Sequence, residues 1–297
     1  MKYATPEAFR AGLDQRLRNE ASSSGVPVMR LRKRVAFERF LARIVLADPQ
    51  RMMLKGAFAL ELRLGEGTRT TKDIDLAGAD DEKGATAILV AAQAIHLNDH
   101  FSFDVLRAPT LDRAETFRAV RYSVTAELAG RRFERFPVDV ALGEQPTAPP
   151  ERLPVPSLLS FAEIEPTEMP VIAIEQHIAE KLHAYTASYG PQRHRSTRVK
   201  DLIDLVLIAG LATPNAHRLQ ESLRSTFHTR ARQSLPTAFP DPPATWAAPY
   251  SRMAREVGLP TKLRAAHANA ATFLDPVLAG TIMTGRWAPA TGRWISV

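Results

Sequence analysis

Lys55-Gly56-Ala57, followed by Arg69-Thr70-Thr71-Lys72-Asp73-Ile74-Asp75-Leu76, is the stretch on which the reading of this 297-residue chain turns. Residues two apart on a strand face the same side. If residues 71–76 form a strand, Asp73 and Asp75 stand side by side and Ile74 turns to the core. Two adjacent carboxylates repel, and one titrates late unless a cation sits between them. Magnesium takes such hard oxygen ligands and leaves its other positions to water and phosphates. A metal pair there would activate an attacking hydroxyl and bind a triphosphate. Gly56 falls between a short apolar run, Met52-Met53-Leu54, and an apolar helical stretch over 57–64. A helix N-terminus offers free N–H groups to a phosphate, and glycine allows close approach. Asp-x-Asp alone also fits a strand facing water, so its surroundings must carry the case.

Those surroundings read as mixed α/β. Thr5-Pro6-Glu7 opens a helix with a capping hydroxyl and a proline suited to the first turn, expected to run to about residue 19. Residues 21–25, with three serines, read as a break. A helix over 29–46 carries Phe37, Phe40, Leu41, Ile44 and Val45 on an apolar face. Its Arg32, Arg39 and Arg43 form a stripe opposite that face, either a solvated surface or a basic patch for a nucleic-acid backbone. A further helix over 82–94 and strands over 101–106, 122–128 and 136–142 complete the first half. Prolines 146, 149, 150, 154 and 156 then mark a linker. Beyond it the periodicity is helical, over 174–187, 198–211, 214–227, 251–258 and 261–278. The expectation is an α/β domain over 1–150 with a small mixed sheet, then a mainly helical domain over 151–297.

Composition sets limits. The chain has no cysteine, which excludes disulfides, thiolate zinc sites and cysteine nucleophiles. Lys and Arg total 39 against 32 Asp and Glu, a net charge of +7 that favours an anionic partner. No apolar stretch is long enough to span a membrane, and a cytoplasmic location is expected. The histidines show no metal-ligand spacing, and the three tryptophans read as packing residues.

Two further features carry chemistry. Asp139 lies within a strand-like run, Phe136 to Leu142, between Val138 and Val140; a buried acid there needs a partner, and a metal would serve. Glu127 and Asp104 are rival acids. On the helix over 174–187, Ile174, Ile178, Lys181 and Tyr185 share one stripe at 100° per residue, which sets an ammonium in an apolar face. A nucleotide triphosphate, or a carboxylate, would be its partner.

Lys55, Gly56, Leu60, Arg69, Thr71, Asp73 and Asp75 together resemble the AbiEii/AbiGii-type toxin nucleotidyltransferases, MenT-like proteins of the DNA polymerase β-like superfamily. That superfamily carries Gly-Ser or Gly-Gly where this chain has Gly56-Ala57. The segment Ile174 to Tyr185 is similar to the family's helix with a functional lysine. Lys200-Asp201-Leu202-Ile203-Asp204-Leu205 resembles its Lys-Asp-Leu-x-Asp-Leu motif, with Asp201 as the functional acid and Asp204 as the alternative. Arg193, His194, Arg195 and Arg198 form a basic run before it. The resemblance covers roughly residues 50–210.

The resemblance implies a polymerase β-like nucleotidyltransferase domain and a helical domain completing the nucleotide and acceptor site. It implies Mg2+ on Asp73, Asp75 and Asp139, with Lys181 and Asp201 also catalytic. Lys55, Gly56, Ala57, Arg69, Thr71 and Lys181 would bind the nucleotide. The implied activity is transfer of a nucleoside monophosphate, often a pyrimidine, from an NTP to the 3′ end of tRNA, by a toxin with a cognate antitoxin in toxin–antitoxin or phage-defence systems. The rival readings are a nucleotidyltransferase acting on a protein or small molecule, and a non-catalytic RNA- or partner-binding protein.

Overall fold

The computed structural model describes residues 1–65, 67–109, 119–189, 194–195, 198–230 and 233–296. The chain divides into two compact units: Met1–Leu62, Thr71–Gln145 and Glu151–Val171 form the first, and Arg63–Thr70, Pro146–Pro150 and Ile172–Val297 the second. The division therefore differs from the one expected at residue 150. The proline-rich segment does not end the first unit, because strands beyond it join that unit's sheet.

The first unit contains, in chain order, α1 (Pro6–Ser24), α2 (Val28–Ala47), β1 (Met53–Lys55), α3 (Gly56–Leu64), β2 (Ile74–Ala79), α4 (Glu82–Ala94), β3 (Phe101–Arg107), β4 (Ala119–Leu128), β5 (Arg131–Leu142), β6 (Glu151–Pro154) and β7 (Glu168–Val171). The seven strands form one sheet in the order β3-β4-β5-β2-β1-β7-β6. It is mixed: β2 runs parallel to β5 and β1 parallel to β7, and the other pairs are antiparallel.

Alternation fixes the sheet's two faces. Ile74 pairs with Val138 and Leu76 with Val140, and these in turn pair with Tyr122 and Val120. All six are buried. They share a core with Phe9, Leu13 and Leu17 of α1, Phe37, Phe40 and Ile44 of α2, and Leu89 and Ala92 of α4. Burying each of the larger side chains contributes roughly 1.5–3 kcal/mol. The opposite parity, with Lys55, Asp75, Asp139 and Arg121, is only partly buried.

Two local expectations change. Helix α1 runs through the serines to Ser24, with Ser22 and Ser24 turned back to donate to the carbonyls of Arg18 and Glu20. Gly25, at φ 72°, ends it with a left-handed cap. The Arg39 and Arg43 stripe is not a basic surface. Both guanidinium groups are buried on Asp99: Arg43 reaches Oδ1 and Oδ2 at 2.8 and 2.9 Å, and Arg39 Nε reaches Oδ2 at 2.8 Å. Burial would raise the Asp99 carboxyl, but the hydrogen bonds and charge of Arg43, then of Arg39, hold it below the usual range. Arg32, Arg34 and Lys33 are also paired, with Asp14, Glu61 and Glu134.

The second unit contains α5 (Ile174–Thr186), β8 (Ser188–Tyr189), β9 (His194–Arg195), α6 (Val199–Leu211), α7 (Ala216–Arg230), α8 (Ala247–Glu256), α9 (Leu263–Leu278), β10 (Arg286–Ala288) and β11 (Arg293–Ile295). It is mainly helical, as expected, with two small hairpins. Trp287 and Trp294 cross-pair on the C-terminal hairpin and donate to the carbonyls of Ala209 and Phe273, so they are packing residues. Among the described residues no helix is long and apolar enough to cross a membrane.

Candidate active site

Strand register assembles a charged row across the first unit's sheet. Lys55 on β1 pairs with Asp75 on β2, Asp75 with Asp139 on β5, and Asp139 with Arg121 on β4. Paired residues present the same face, so two acids stand at the centre of the row with a cation at either end. Asp73 immediately precedes β2, and its Oδ1 accepts from Thr71 Oγ1 at 2.7 Å. Lys55 Nζ donates to Glu144 just beyond β5. The rival acids lie elsewhere: Asp104 pairs with Thr125, and Glu127 pairs with Ser102 and Arg132, away from the Asp75–Asp139 pair.

Arg121 grips Asp139 with both arms of its fork. Nε reaches Oδ1 at 2.6 Å and Nη2 reaches Oδ2 at 2.5 Å. Such bidentate pairs combine charge with fixed geometry. The hydrogen-bonded Asp139 holds the Arg121 guanidinium above its usual pKa against partial burial, and Asp73 and Asp75 add to that field. Among the described residues no group of three or more His, Cys, Asp or Glu side chains is arranged to hold a metal ion. Asp73, Asp75 and Asp139 share a region of the sheet, but Asp139 is turned to Arg121. The donors themselves are hard carboxylate oxygens of the kind a magnesium ion takes.

Gly56 opens α3 at φ 69°, a region that penalises every residue with a β-carbon. A β-carbon there would meet Asp75 Oδ2 at 1.9 Å. The close approach that requires glycine is thus to the Asp75 carboxylate. Ala57, the next residue, is buried.

The second unit holds its own charge cluster. Lys181 of α5 is buried, and its Nζ donates to Asp204 Oδ2 at 2.7 Å and lies 3.4 Å from Asp201 Oδ1, both on α6. Arg69 adds two 3.3 Å contacts to the Asp204 carboxylate, and Arg198 Nε lies 2.8 Å from Asp201 Oδ2. Burial would depress the Lys181 ammonium, but Asp204 and then Asp201 outweigh it and hold it above its usual value. Asp204 is likewise held low by Lys181 and Arg69 against burial. Lys181 is therefore charged, and Asp204 is its nearer acid. Asp201, expected as the functional acid, thus also lies beside Lys181, with Asp204 nearer; both acids lie on one helix turn, and spacing could not rank them. His177, one turn before Lys181, is buried and pushed down to about 3 by burial and then by Lys181, so its imidazole is neutral. Of the basic run, Arg193 lies outside the described residues, and His194 and Arg195 form β9.

Arg121 and Glu144 were not singled out from sequence. An arginine in a strand is common, and only the register of β4 against β5 brings this one to Asp139.

Comparison with known proteins gives these features a lineage. The pattern of the family described as "Nucleotidyl transferase AbiEii toxin, Type IV TA system" matches residues 39–273. Among solved structures the chain is similar to MenT4, a nucleotidyltransferase toxin from Mycobacterium tuberculosis H37Rv. The TM-score is 0.54 at 16% identity, covering 89% of this chain and 98% of that one. At that identity the likeness speaks for the fold. JHP933 from Helicobacter pylori matches at a TM-score of 0.38 and 18% identity, over 82% of this chain and 94% of that one. A search of curated proteins gave no match. With its mixed sheet and a family pattern extending over most of its length, this chain belongs to the AbiEii nucleotidyltransferase toxins of type IV toxin–antitoxin systems, and it is a nucleotidyltransferase.

Proposed function

We propose that this toxin transfers a nucleoside monophosphate, from a pyrimidine NTP, to the 3′ end of tRNA, with magnesium held by Asp73, Asp75 and Asp139. The observation that carries the reading is the in-register pair of Asp75 and Asp139 on adjacent parallel strands, with Asp73 two residues away. Magnesium, when bound, screens the phosphate charges and orients the triphosphate. The chain's own groups do the rest by positioning and charge. Asp139 completes the metal's ligand set and draws the proton from the acceptor hydroxyl. Thr71 holds the Asp73 carboxylate through its 2.7 Å hydrogen bond. Lys55, with Gly56 and Ala57 at the start of α3, contacts the nucleotide. In the second unit, Lys181 and Arg69 are the residues the family resemblance assigns to the nucleotide, and Asp204 and Asp201 keep Lys181 protonated. The net charge of +7 favours an RNA acceptor. The choice of pyrimidine and of the tRNA end rests on the resemblance to MenT-like toxins. A family of toxin–antitoxin systems implies an antitoxin partner.

The test is incubation of purified protein with each α-labelled NTP and total bacterial RNA, with and without Mg2+, for wild type and Asp75→Ala. Metal-dependent label in a tRNA-sized band from wild type alone supports the reading. Label on protein would move the acceptor to another class, and no transfer or nucleotide binding would remove it.

A further inference from the structure

We infer that Arg121 is an internal cation that keeps Asp139 from binding a metal until an anionic phosphate takes the guanidinium away. The inference rests on the metal-dependent reading above and adds a condition to it. Both carboxylate oxygens of Asp139 are engaged by Arg121, at 2.6 and 2.5 Å. A divalent ion held by Asp75 and Asp139 would compete with Arg121 for those oxygens, against its fixed positive charge.

Arg121 has the means to exchange partners. Its side chain is one-third exposed, and its bidentate contact with Asp139 lies on a face of the sheet that is only partly buried. A guanidinium fork fits phosphate oxygens as well as it fits a carboxylate. When phosphate takes the fork, Asp139 is freed for metal. Arg121 is a positioning residue by this account: it acts through Asp139, and it couples metal binding to nucleotide binding.

The test is Mn2+ binding to the nucleotide-free protein, followed by electron paramagnetic resonance and calorimetry, for wild type, Arg121→Gln, Arg121→Lys, Asp139→Asn and Asp75→Asn. Arg121→Gln is expected to bind Mn2+ about tenfold more tightly than wild type, within the range by which groups around a metal site tune affinity. Arg121→Lys, which keeps the charge but not the fork, should fall between. Adding Asp139→Asn to Arg121→Gln should erase the gain. In wild type, a non-hydrolysable NTP should raise Mn2+ affinity, and in Arg121→Gln it should raise it less. Circular dichroism checks folding, and if Arg121→Gln is unfolded, Arg121→Lys carries the comparison. Equal or weaker Mn2+ binding in folded Arg121 variants overturns the inference and leaves the metal reading standing, provided Asp75→Asn lowers binding. Mn2+ binding indifferent to Asp75→Asn overturns both.

Discussion

The space in which a β-carbon of Gly56 would lie is filled by the Asp75 carboxylate, with Oδ2 only 1.9 Å from that position. Gly56→Ala must therefore move Asp75 and also strain a backbone at φ 69°. The strain alone costs about 1–3 kcal/mol. Thermal denaturation should show that loss, and nucleotide transfer should fall further than the stability change explains, because the displaced group is the acid at the centre of the row.

Asp75→Asn keeps shape and removes charge. Transfer should drop by roughly 10^3-fold, the scale seen when one preorganised electrostatic group is deleted, with little change in melting temperature. A variant that retains most of its activity would make the acid pair structural.

Lys181→Met removes the ammonium from a buried cluster and leaves Asp204 with Arg69 as its remaining cation. Breaking a buried pair in this way costs about 3–5 kcal/mol. Lys181→Met with Asp204→Asn should recover much of that stability, since the stranded charge is gone. Transfer should stay abolished in both. Recovery of activity in the double variant would limit Lys181 to a structural role.

Stability should depend on pH through two buried groups. Burial raises Glu38 from 4.5 to about 7. A folded-state pKa above the unfolded one means that stability is full below about 4.5 and is lost as pH rises through 7. The loss is on the order of 3 kcal/mol, at roughly 1.4 kcal/mol for each pH unit between 4.5 and about 7. His177, held at about 3, acts in the opposite sense: its contribution is lost as pH falls from about 6.5 toward 3. Melting curves from pH 4 to 9 should show the decline between about pH 4.5 and 7 shrinking in Glu38→Gln. An unchanged slope in that window would mean that Glu38 is already ionised in the fold.

The parts of this protein that are local in sequence were legible there. Asp75 beside a core-facing Ile74, the glycine between strand and helix, and the strand around Asp139 follow from periods of two residues and from turn chemistry, whereas Asp73, expected on the same strand, lies in the bend just before it. What depends on register or on distant partners was not. Arg39 and Arg43 looked like a surface stripe because helical periodicity gives faces without saying what covers them; Asp99 lies more than fifty residues on. Strands β6 and β7 lie within and beyond a proline-rich stretch, where the propensity signal fails; β6 is the edge strand of the sheet, where Pro154 is tolerated. Arg121 and Asp139 become neighbours only through the pairing of β4 with β5. Asp201 and Asp204 share a helix face, so only coordinates rank their distances to Lys181.

The interleaving of the two units along the chain has a consequence for heredity. The polypeptide passes between them at residues 62/63, 70/71, 145/146, 150/151 and 171/172. Any single recombination breakpoint that moved the sheet with its acidic row would tear away strands or carry fragments of the helical unit with it. Arg69 and Asp204, which meet in the second unit, are encoded on opposite sides of the Asp73, Asp75 and Asp139 codons. A gene built this way can diverge by substitution, but it cannot trade one half for a foreign one, so acidic row and lysine cluster descend as a single heritable block.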